Sequence, residues 1–508
     1  MRLEEALSSL ERETSLPYEW RDREVLGLTS DSRKVTPGFL FVAVRGFHAD
    51  GHEYISQAAR QGALAVVAEK KGPGYDIPVI VVENSRRALA LLADSFYGRP
   101  SRKLKLVGIT GTNGKTTTTY LVRSVIEAAG RTAGLIGTID YRIGNTVYPA
   151  PNTTPEAVEL QRFLAEAARL GAQYCVMEVS SHALALDRTT GCVFETAGFT
   201  NLTQDHLDFH GDMESYFRAK LLLFAGLTPD KTAVINIDDE RAAELIRATK
   251  AKVVTTGISE RADVHPSGTI RHVLNGLSFE IMTPLGVVSV ESPLVGTHNV
   301  HNILTAVGIG NALGFGNDVI AQGIKNMRAV PGRMEKVDEG QPYGLIVDYA
   351  HTEDALLRLL ETVRELSQGR VITVFGCGGE RDRSKRPRMG AAAINGSDVV
   401  IVTSDNPRSE DPMNIIREIE TGMTAGLRMK REGAGVAATS AKKTYCVVPD
   451  RAEAIATAVR LAAPGDVVVL AGKGHENCQI IGEKKIRFDD REIAREEIRK
   501  RQNREGSG

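Results

Sequence analysis

The segment Gly108-Ile-Thr-Gly111-Thr-Asn-Gly114-Lys115-Thr116-Thr117 gathers residue types that bind phosphate. Glycines let successive backbone N–H groups converge on anionic oxygens. Lys115 can neutralise β- and γ-phosphate charge, and the Thr116 hydroxyl can reach a magnesium ion. The strict G-x-x-x-x-G-K-[ST] pattern is not met, because position 109 is Ile, so Gly111, Thr112, Asn113, Gly114, Lys115, Thr116 and Thr117 form a variant loop. Glu178 closes an apolar run, where an unpaired carboxylate would be costly. With Thr116 it is a suitable hard oxygen ligand for Mg²⁺; the plainer alternative is a buried Glu paired with an Arg. His206, in a loop, and Lys220, in a helical stretch, would by themselves read as a packing histidine and a solvated lysine. Arg408 ends Asp405-Asn406-Pro407-Arg408 after another apolar run. A planar guanidinium there matches a carboxylate through two parallel hydrogen bonds.

The phosphate loop needs a strand before it and a helix after it. Leu104–Thr110 and Thr117–Ala129 supply them. Further apolar runs at 174–179, 196–200, 232–237 and 253–256 alternate with helical stretches, which predicts a mainly parallel sheet covered by helices. From Ile270 to Val295 short alternating segments predict antiparallel strands, and a helix follows over 298–313. Before this unit, short strands at 39–44, 63–68 and 79–82 lead to a helix that stops near Tyr97-Gly98-Arg99-Pro100, a plausible domain joint. After it, runs at 345–349, 371–376, 399–404, 444–448 and 467–471 predict a second, doubly wound α/β unit. The expected division is 1–101, 102–335 and 336–508. Residues 495–508 read as a fraying helix and loose tail.

A chain of 508 residues accommodates such units. The net charge of −1 gives no global attraction for nucleic acid or an anionic membrane, so any anion must be held by a local site. No apolar run approaches the length of a bilayer span. The N-terminus is charged, with Leu3, Leu7 and Leu10 on one helical face, and lacks the apolar core of a secretory signal. Five scattered cysteines without a C-x-x-C pair predict buried thiols in a reducing cytoplasm and no zinc site.

Further segments follow the phosphate loop in a fixed order: Asn152-Thr153-Thr154, Glu178-Val-Ser-Ser-His182, Asn201-Leu-Thr-Gln-Asp-His206-Leu-Asp-Phe-His210, Tyr216-Phe-Arg-Ala-Lys220 and Gly296-Thr-His-Asn-Val-His-Asn302. Pro331-Gly-Arg333, Asp348-Tyr-Ala-His351 and Gly472-Lys-Gly-His-Glu476 complete the series. Together they resemble the Mur ligase family over about residues 28 to 492. The resemblance implies three α/β domains: a small mixed N-terminal one for a UDP-linked substrate, a central P-loop ATPase-like one and a C-terminal Rossmann-like one. It also implies a cytoplasmic, monomeric enzyme of peptidoglycan precursor synthesis. ATP phosphorylates a substrate carboxylate, and an incoming amine attacks the acyl phosphate to form an amide. The implied cofactors are ATP as co-substrate and two Mg²⁺ ions. The implied catalytic and metal-holding set is Thr116, Lys115, Glu178, His206 and Lys220, the last as a carbamate. Asn302, Arg333 and Asp348 resemble the remaining nucleotide contacts, at the adenine edge, γ-phosphate and ribose. After Tyr-Ala-His-Thr the chain has Glu353-Asp354 where the family usually has Pro-Asp or Pro-Glu, so a local change at that helix start is expected.

Ser30, Ser32, Phe47, His48 and Ala49 resemble the uridine-diphosphate segments of the family. Asn152, Thr153, Thr154, Ser180, Leu186 and Arg188 resemble residues that hold a muramoyl dipeptide, UDP-N-acetylmuramoyl-L-alanyl-D-glutamate. Asp405, Asn406, Pro407 and Arg408, helped by Arg381, resemble the subgroup that adds meso-diaminopimelate; Gly472 and Glu476 resemble the holders of its amino end. Alternatives are the same reaction with L-lysine, a P-loop kinase, a folylpolyglutamate-type ligase and a nucleotide-binding scaffold without catalysis.

Overall fold

The computed structural model describes residues 1–508 except 47–48, 72–74, 274–275, 328–329, 429–430, 433–434, 437–442 and 506–508. The expectations for Phe47 and His48 therefore lie outside the described residues.

Four short parallel strands form the first sheet, in the order Gly27–Thr29, Phe39–Val42, Ala65–Ala68 and Val79–Val81. Side chains alternate between two apolar layers, Leu40, Val42 and Val67 on one face and Phe41, Ala43 and Val66 on the other. Burial on both faces is what a parallel sheet requires. The helix Ser85–Phe96 packs on it, with Asn84 capping its start through the Arg87 N–H. It ends where expected: Gly98 and Arg99 turn left-handed (φ 74° and 53°) and Pro100 leads onward. At the N-terminus the helix covers only Leu3–Leu7. Leu10, expected on the same helical face, follows in a turn yet still packs on the same core.

The second sheet has eight strands. Lys252–Thr256, Thr232–Asn236, Phe194–Phe199, Lys105–Thr110, Tyr174–Glu178 and Ala133–Ile136 run parallel in that order. An antiparallel hairpin, Asp140–Ile143 and Thr146–Pro149, extends the edge. The helices Lys115–Ala128 and Thr297–Ala312 cover one face, and Ala157–Arg169 and Met213–Ala225 the other. A three-stranded antiparallel meander spans His265–Val273, Gly276–Thr283 and Gly286–Ser292, starting five residues earlier than the alternation suggested.

The third sheet runs Glu335–Lys336, Gly344–Asp348, Val467–Ala471, Val371–Phe375, Val399–Val402, Thr444–Val447, Leu427–Arg428, parallel except for its first strand. The late strand Val467–Ala471 is inserted between two earlier ones. That insertion opens a crevice at the carboxyl ends of the strands, the usual ligand position in open α/β sheets. A hairpin, Cys478–Ile481 with Lys484–Arg487, follows.

The C-terminus corrects the expectation of a fraying helix. The helix Asp490–Glu505 buries Ala494 and Ile498 completely, and the Arg501 guanidinium donates to the carbonyls of Val459 and Ala462. Its first residue, Asp490, forms a fully buried pair with Arg451 (2.6 Å). The cysteines also divide: Cys175, Cys377 and Cys446 are buried, whereas Cys192 and Cys478 are half-buried.

Removing one member of a buried ion pair strands the other charge. Asp490→Ala is expected to cost about 3–5 kcal/mol in the unfolding transition of the third sheet; an unchanged urea midpoint would contradict the structural weight given to this pair.

Candidate functional site

The phosphate loop is moulded by the strand beside it. Strands Lys105–Thr110 and Phe194–Phe199 are in parallel register, so the loops at their carboxyl ends meet. Thr112 N–H donates to the Asn201 carbonyl (2.8 Å), Asn113 N–H to Asn201 Oδ1 (2.9 Å), and Thr200 Oγ1 to the Asn113 carbonyl (2.6 Å). Gly111 and Gly114 are left-handed, at φ 147° and 83°. A Cβ at these positions would sit 1.9 Å from Thr200 Oγ1 and 2.2 Å from Asn302 Oδ1, so both positions need glycine.

Two lysines converge on this loop. Lys115 Nζ donates to the carbonyls of Gly111 (3.0 Å) and Thr112 (2.7 Å). Lys220 Nζ donates to the same Gly111 carbonyl (2.8 Å) and lies 4.4 Å from the Tyr216 ring centre. Lys220 is 1% exposed, and burial first, then the nearby Lys115 charge, pulls its pKa well below the usual lysine range. Its amine is thereby biased toward the neutral, nucleophilic form.

Glu178 is also buried, but among the described residues no arginine pairs with it. Its carboxylate accepts from Thr116 Oγ1 (3.0 Å), Thr138 N–H (2.8 Å) and Thr138 Oγ1 (2.9 Å). The sequence alternative of a Glu–Arg pair is therefore not what forms. A carboxylate and a hydroxyl in hydrogen-bond contact are two oxygen donors of the kind Mg²⁺ takes, so the residues fit that ion. Arg333 approaches the same point from the third sheet: its Nη2 donates to Thr116 Oγ1 (3.3 Å), and its guanidinium lies 4.7 Å from the Tyr349 ring centre. Asn113 Nδ2 donates in turn to Asp354 Oδ2 (2.9 Å), and Arg388 Nη1 to Gln204 Oε1 (2.8 Å), so two further bonds cross the same joint. Thr352 caps the helix Glu353–Leu366, which gives the unusual Glu353-Asp354 start an ordinary helical geometry.

A cavity of about 300 Å³ lies here, its walls including Asn113, Thr116, Thr117, Asn302, Arg333 and Asp348. Asn302 is turned toward the loop rather than into open space. Its amide donates to Asn299 Oδ1 (2.9 Å), and its carbonyl accepts from Thr118 Oγ1 (3.4 Å). Asn302 still lines this cavity, and one amide N–H and one carbonyl lone pair remain beyond these two bonds. Asp348 accepts from the N–H groups of Met334 and Ala350 (both 2.7 Å) and keeps further lone pairs; burial raises its pKa.

A second cavity, about 180 Å³, opens at the crevice of the third sheet. His206 stands on one side and Arg381, Asp405, Asn406, Arg408, Gly472 and Glu476 on the other. Pro407 is buried behind them, its carbonyl against Gly379. Arg408 is left-handed (φ 53°), and its guanidinium donates to the Gly379 carbonyl (2.5 Å). His206 is left-handed too, and its Nε2 lies 3.4 Å from Asp205 Oδ2. Burial lowers its pKa against the pull of Asp205, which favours a neutral imidazole with a free lone pair.

Next to Glu178 the Asn152–Thr154 segment is tied down. Thr154 Oγ1 donates to the Glu178 carbonyl (2.9 Å) and accepts from Ser180 N–H (3.0 Å); Thr153 Oγ1 lies 3.1 Å from Thr138 Oγ1, and the Asn152 carbonyl accepts from the Tyr141 hydroxyl. Arg188 donates to the Thr154 carbonyl (3.1 Å) and pairs with Glu156 (2.6 Å), with Leu186 half-buried nearby. In the first sheet, Ser32 is buried against Gln57 Oε1 (3.3 Å), Ser30 is exposed, and the Ala49 carbonyl accepts from Gly46. None of these first-sheet residues lines either cavity.

Sequence reasoning passed over His182, Asp205, His351 and Lys473 as individuals, although each lies in a quoted segment. His182 stacks edge-on against His206 (4.7 Å between ring centres), and Asp205 reaches both His206 and His351. Among the described residues no group of three His, Cys, Asp or Glu side chains is close enough to hold a metal without further donors.

Family models match in three consecutive stretches: the Mur ligase family catalytic domain over residues 24–97, the Mur ligase middle domain over 109–310, and the Mur ligase glutamate ligase domain over 332–474. The chain belongs to the Mur ligase family. Among its relatives, a UDP-N-acetylmuramoyl-L-alanyl-D-glutamate--2,6-diaminopimelate ligase of Geobacillus thermodenitrificans is 48% identical over 496 residues, covering 96% of this chain and 98% of the relative. A ligase of the same name from Geobacter metallireducens is 49% identical, covering 92% and 93%. A solved structure of a ligase of that name superposes with a TM-score of 0.69 at 32% identity, over 99% of this chain and 100% of the other. The Mur ligase MurF of Thermotoga maritima, solved with ADP, shares the fold at a TM-score of 0.63 and 20% identity, over 94% and 99%. The three-domain α/β fold of this Mur ligase, with its central P-loop sheet and Rossmann-like third sheet, agrees with that expected from sequence.

Gly114→Ala would drive a methyl group into Asn302 at a left-handed position. Calorimetric ATP affinity is expected to fall by about tenfold or more, and an unaltered affinity would show that the loop does not need this shape.

Proposed function

We propose that this Mur ligase adds meso-diaminopimelate to the D-glutamate γ-carboxylate of UDP-N-acetylmuramoyl-L-alanyl-D-glutamate, at the expense of ATP. The observation that carries the proposal is the second cavity, where the guanidinium groups of Arg381 and Arg408 and the carboxylates of Asp405 and Glu476 line a space of amino-acid size, open toward His206. Diaminopimelate carries one more carboxylate than lysine. Arg408 and Arg381 suit that carboxylate, and Glu476 suits the ammonium of the same end. L-Lysine would leave the half-buried Arg408 without a carboxylate partner, which a site of this kind rejects strongly.

In the first step the γ-carboxylate oxygen attacks the γ-phosphorus of ATP, giving an acyl phosphate and ADP. The amine then attacks the acyl carbon, the C–O bond to phosphate breaks, and the ammonium proton leaves. Lys115 and Arg333 bring positive charge to the two anions that must meet. Mg²⁺ held by Thr116 and Glu178, and a second ion held by His206 and a Lys220 carbamate, would supply further charge neutralisation. Lys220 suits carbamate formation because its amine is biased to neutrality: the nitrogen adds to CO₂ and releases a proton. Arg333, Asp348 and the Asn113–Asp354 bond lie at the joint of the second and third sheets, so closure there excludes the water that competes with the amine. Asn302 supports the loop from below and would offer its remaining N–H and lone pair to the adenine edge.

We take residues 1–101, 102–335 and 336–508 as the units for UDP, ATP and amino acid, the first using Ser30, Ser32, Phe47, His48 and Ala49. Asn152, Thr153, Thr154, Ser180, Leu186 and Arg188 would hold the muramoyl dipeptide. ATP and a UDP-linked precursor are cytoplasmic compounds, which puts the reaction there; among the described residues no helix is long and apolar enough to cross a membrane.

Incubation with the UDP-linked dipeptide, ATP and either amino acid tests the proposal. Phosphate release is expected with diaminopimelate, and release with L-lysine alone would overturn it. Arg408→Ala is expected to raise the diaminopimelate KM by about 100-fold while ATP KM stays within about twofold; equal losses would remove the role given to Arg408. Lys220→Ala is expected to lose nearly all turnover and to regain part of it with a short added carboxylate such as acetate. Full activity without the additive would rule out a required carbamate. Because a lowered pKa leaves more neutral amine at a given pH, activity of the unaltered protein should also fall when CO₂ is stripped near neutrality.

A further inference from the structure

Behind the second cavity sits a cation that the proposed chemistry does not use. Lys473 is completely buried. It lies between Gly472 and Gly474, and the left-handed Gly474 (φ 55°) has its Cβ direction blocked by Tyr349. Its Nζ donates to Asn406 Oδ1 (3.0 Å), the Cys478 carbonyl (2.8 Å) and Glu476 Oε2 (3.4 Å), and lies 3.3 Å from Asp405 Oδ1. The partners are also bonded to one another: Asn406 Nδ2 donates to Glu476 Oε2 (2.8 Å). The following hairpin closes the cluster from below, with Ile480 N–H on Asn406 Oδ1 (3.0 Å) and Gln479 Nε2 on the Asp405 carbonyl (2.6 Å).

One ammonium thus bridges two carboxylates that face the same space. Two carboxylates less one ammonium leave a single net negative charge. Without the cation, two like charges in a buried pocket could not both ionise near neutrality, because desolvation and mutual repulsion favour a shared proton. Glu476 already shows that tendency: burial first, and then Asp405, raise its pKa, with Lys473 opposing them. The other charged and titratable groups around the cluster are Arg408, Arg381, Lys385, Asp382, Asp205, Asp208, His206, His351 and Cys377 on the cavity side, the Tyr349 phenol, and Arg451 behind, which is committed to Asp490.

We propose that Lys473 is a positioning residue for the amino-acid substrate: it locks Asp405, Asn406 and Glu476 into one unit and leaves that unit one negative charge, matched to one ammonium group. This rests on the second cavity being the amino-acid site, as proposed above. Lys473 itself, sealed behind those side chains, acts through them.

The test uses the full chain and its three substrates, with phosphate release measured from about pH 6.5 to about pH 9. In Lys473→Met, Asp405 and Glu476 share a proton near neutrality, and that proton leaves as the pH rises. Near pH 7 the shared proton keeps the pair at one negative charge, and its loss leaves two. The ratio of the variant's amino-acid KM to that of the unaltered protein is therefore expected to be smallest near pH 7 and to rise by about tenfold or more toward high pH, where the charge is no longer matched. ATP KM should not change. An unchanged amino-acid KM, or an equal, pH-independent rise in every KM, would overturn the proposal.

If Lys473→Met does not fold, the double variant Lys473→Met/Asp405→Asn decides. It has one carboxylate and no cation, so its charge is again matched. It should fold, with a raised amino-acid KM whose ratio no longer depends on pH; failure to fold, or a persisting pH dependence, would overturn the assignment. The ratio is taken with whichever of diaminopimelate and L-lysine the unaltered protein consumes. An error in substrate identity is then visible in the unaltered protein alone, and an error about Lys473 in the ratio.

Discussion

Two ammonium groups share one backbone carbonyl, that of Gly111, and the central chemistry of the molecule depends on that arrangement. Lys115 and Lys220 come from different helices and reach the same oxygen within 3.0 and 2.8 Å. Like charges so close, in a buried place, do not both stay protonated easily: burial lowers the pKa of both lysines, and Lys220 falls well below the usual lysine range. The geometry exists because Gly111 takes a backbone conformation that only glycine enters readily, and because Thr200 and Asn201 hold the loop in that shape. One loop therefore gathers two lysines of the same family motif set at one oxygen.

The second cavity is built on a comparable economy of parts. A strand that comes last in the third sheet, Val467–Ala471, is threaded between earlier ones, and the segment after it carries Gly472, Lys473 and Glu476 to face Asp405–Arg408. From the other flank, Arg386, with no exposed surface, binds Glu410 and the Gly378 carbonyl, while Glu410 accepts from Glu380 N–H. That clamp fixes the loop bearing Arg381. The residues that would touch an amino acid are thus held by charged groups that would not touch it, which limits the freedom each loses on binding.

Much of this was legible in the sequence, for identifiable reasons. The parallel strands were visible because burial on both faces demands unbroken Val, Ile and Leu runs such as 467–471. Phosphate-loop residues were visible because glycines at 111 and 114 have no other economical use beside GKTT. The hairpin Cys478–Arg487 was not, because its outer strand, Lys484–Arg487, is exposed along its length and carries three charges, which reads as solvent-facing loop. Lys473 was hidden for the opposite reason: composition cannot reveal that a lysine is sealed inside. The final helix looked loose because Arg and Glu dominate it, yet Ile493, Ala494 and Ile498 on the core, the buried Asp490–Arg451 pair and the bonds from Arg501 to two carbonyls seat it.

The bond from Asn113 to Asp354 joins the phosphate loop itself to the first helix of the third sheet. Nucleotide affinity and the angle between these two bodies are therefore linked quantities, and linkage is reciprocal. A compound that wedges the third sheet outward must weaken ATP by the same factor by which ATP weakens the compound, although the two need never touch. Inhibitors of that kind would be evaded by raising cellular ATP, even while binding nowhere near it.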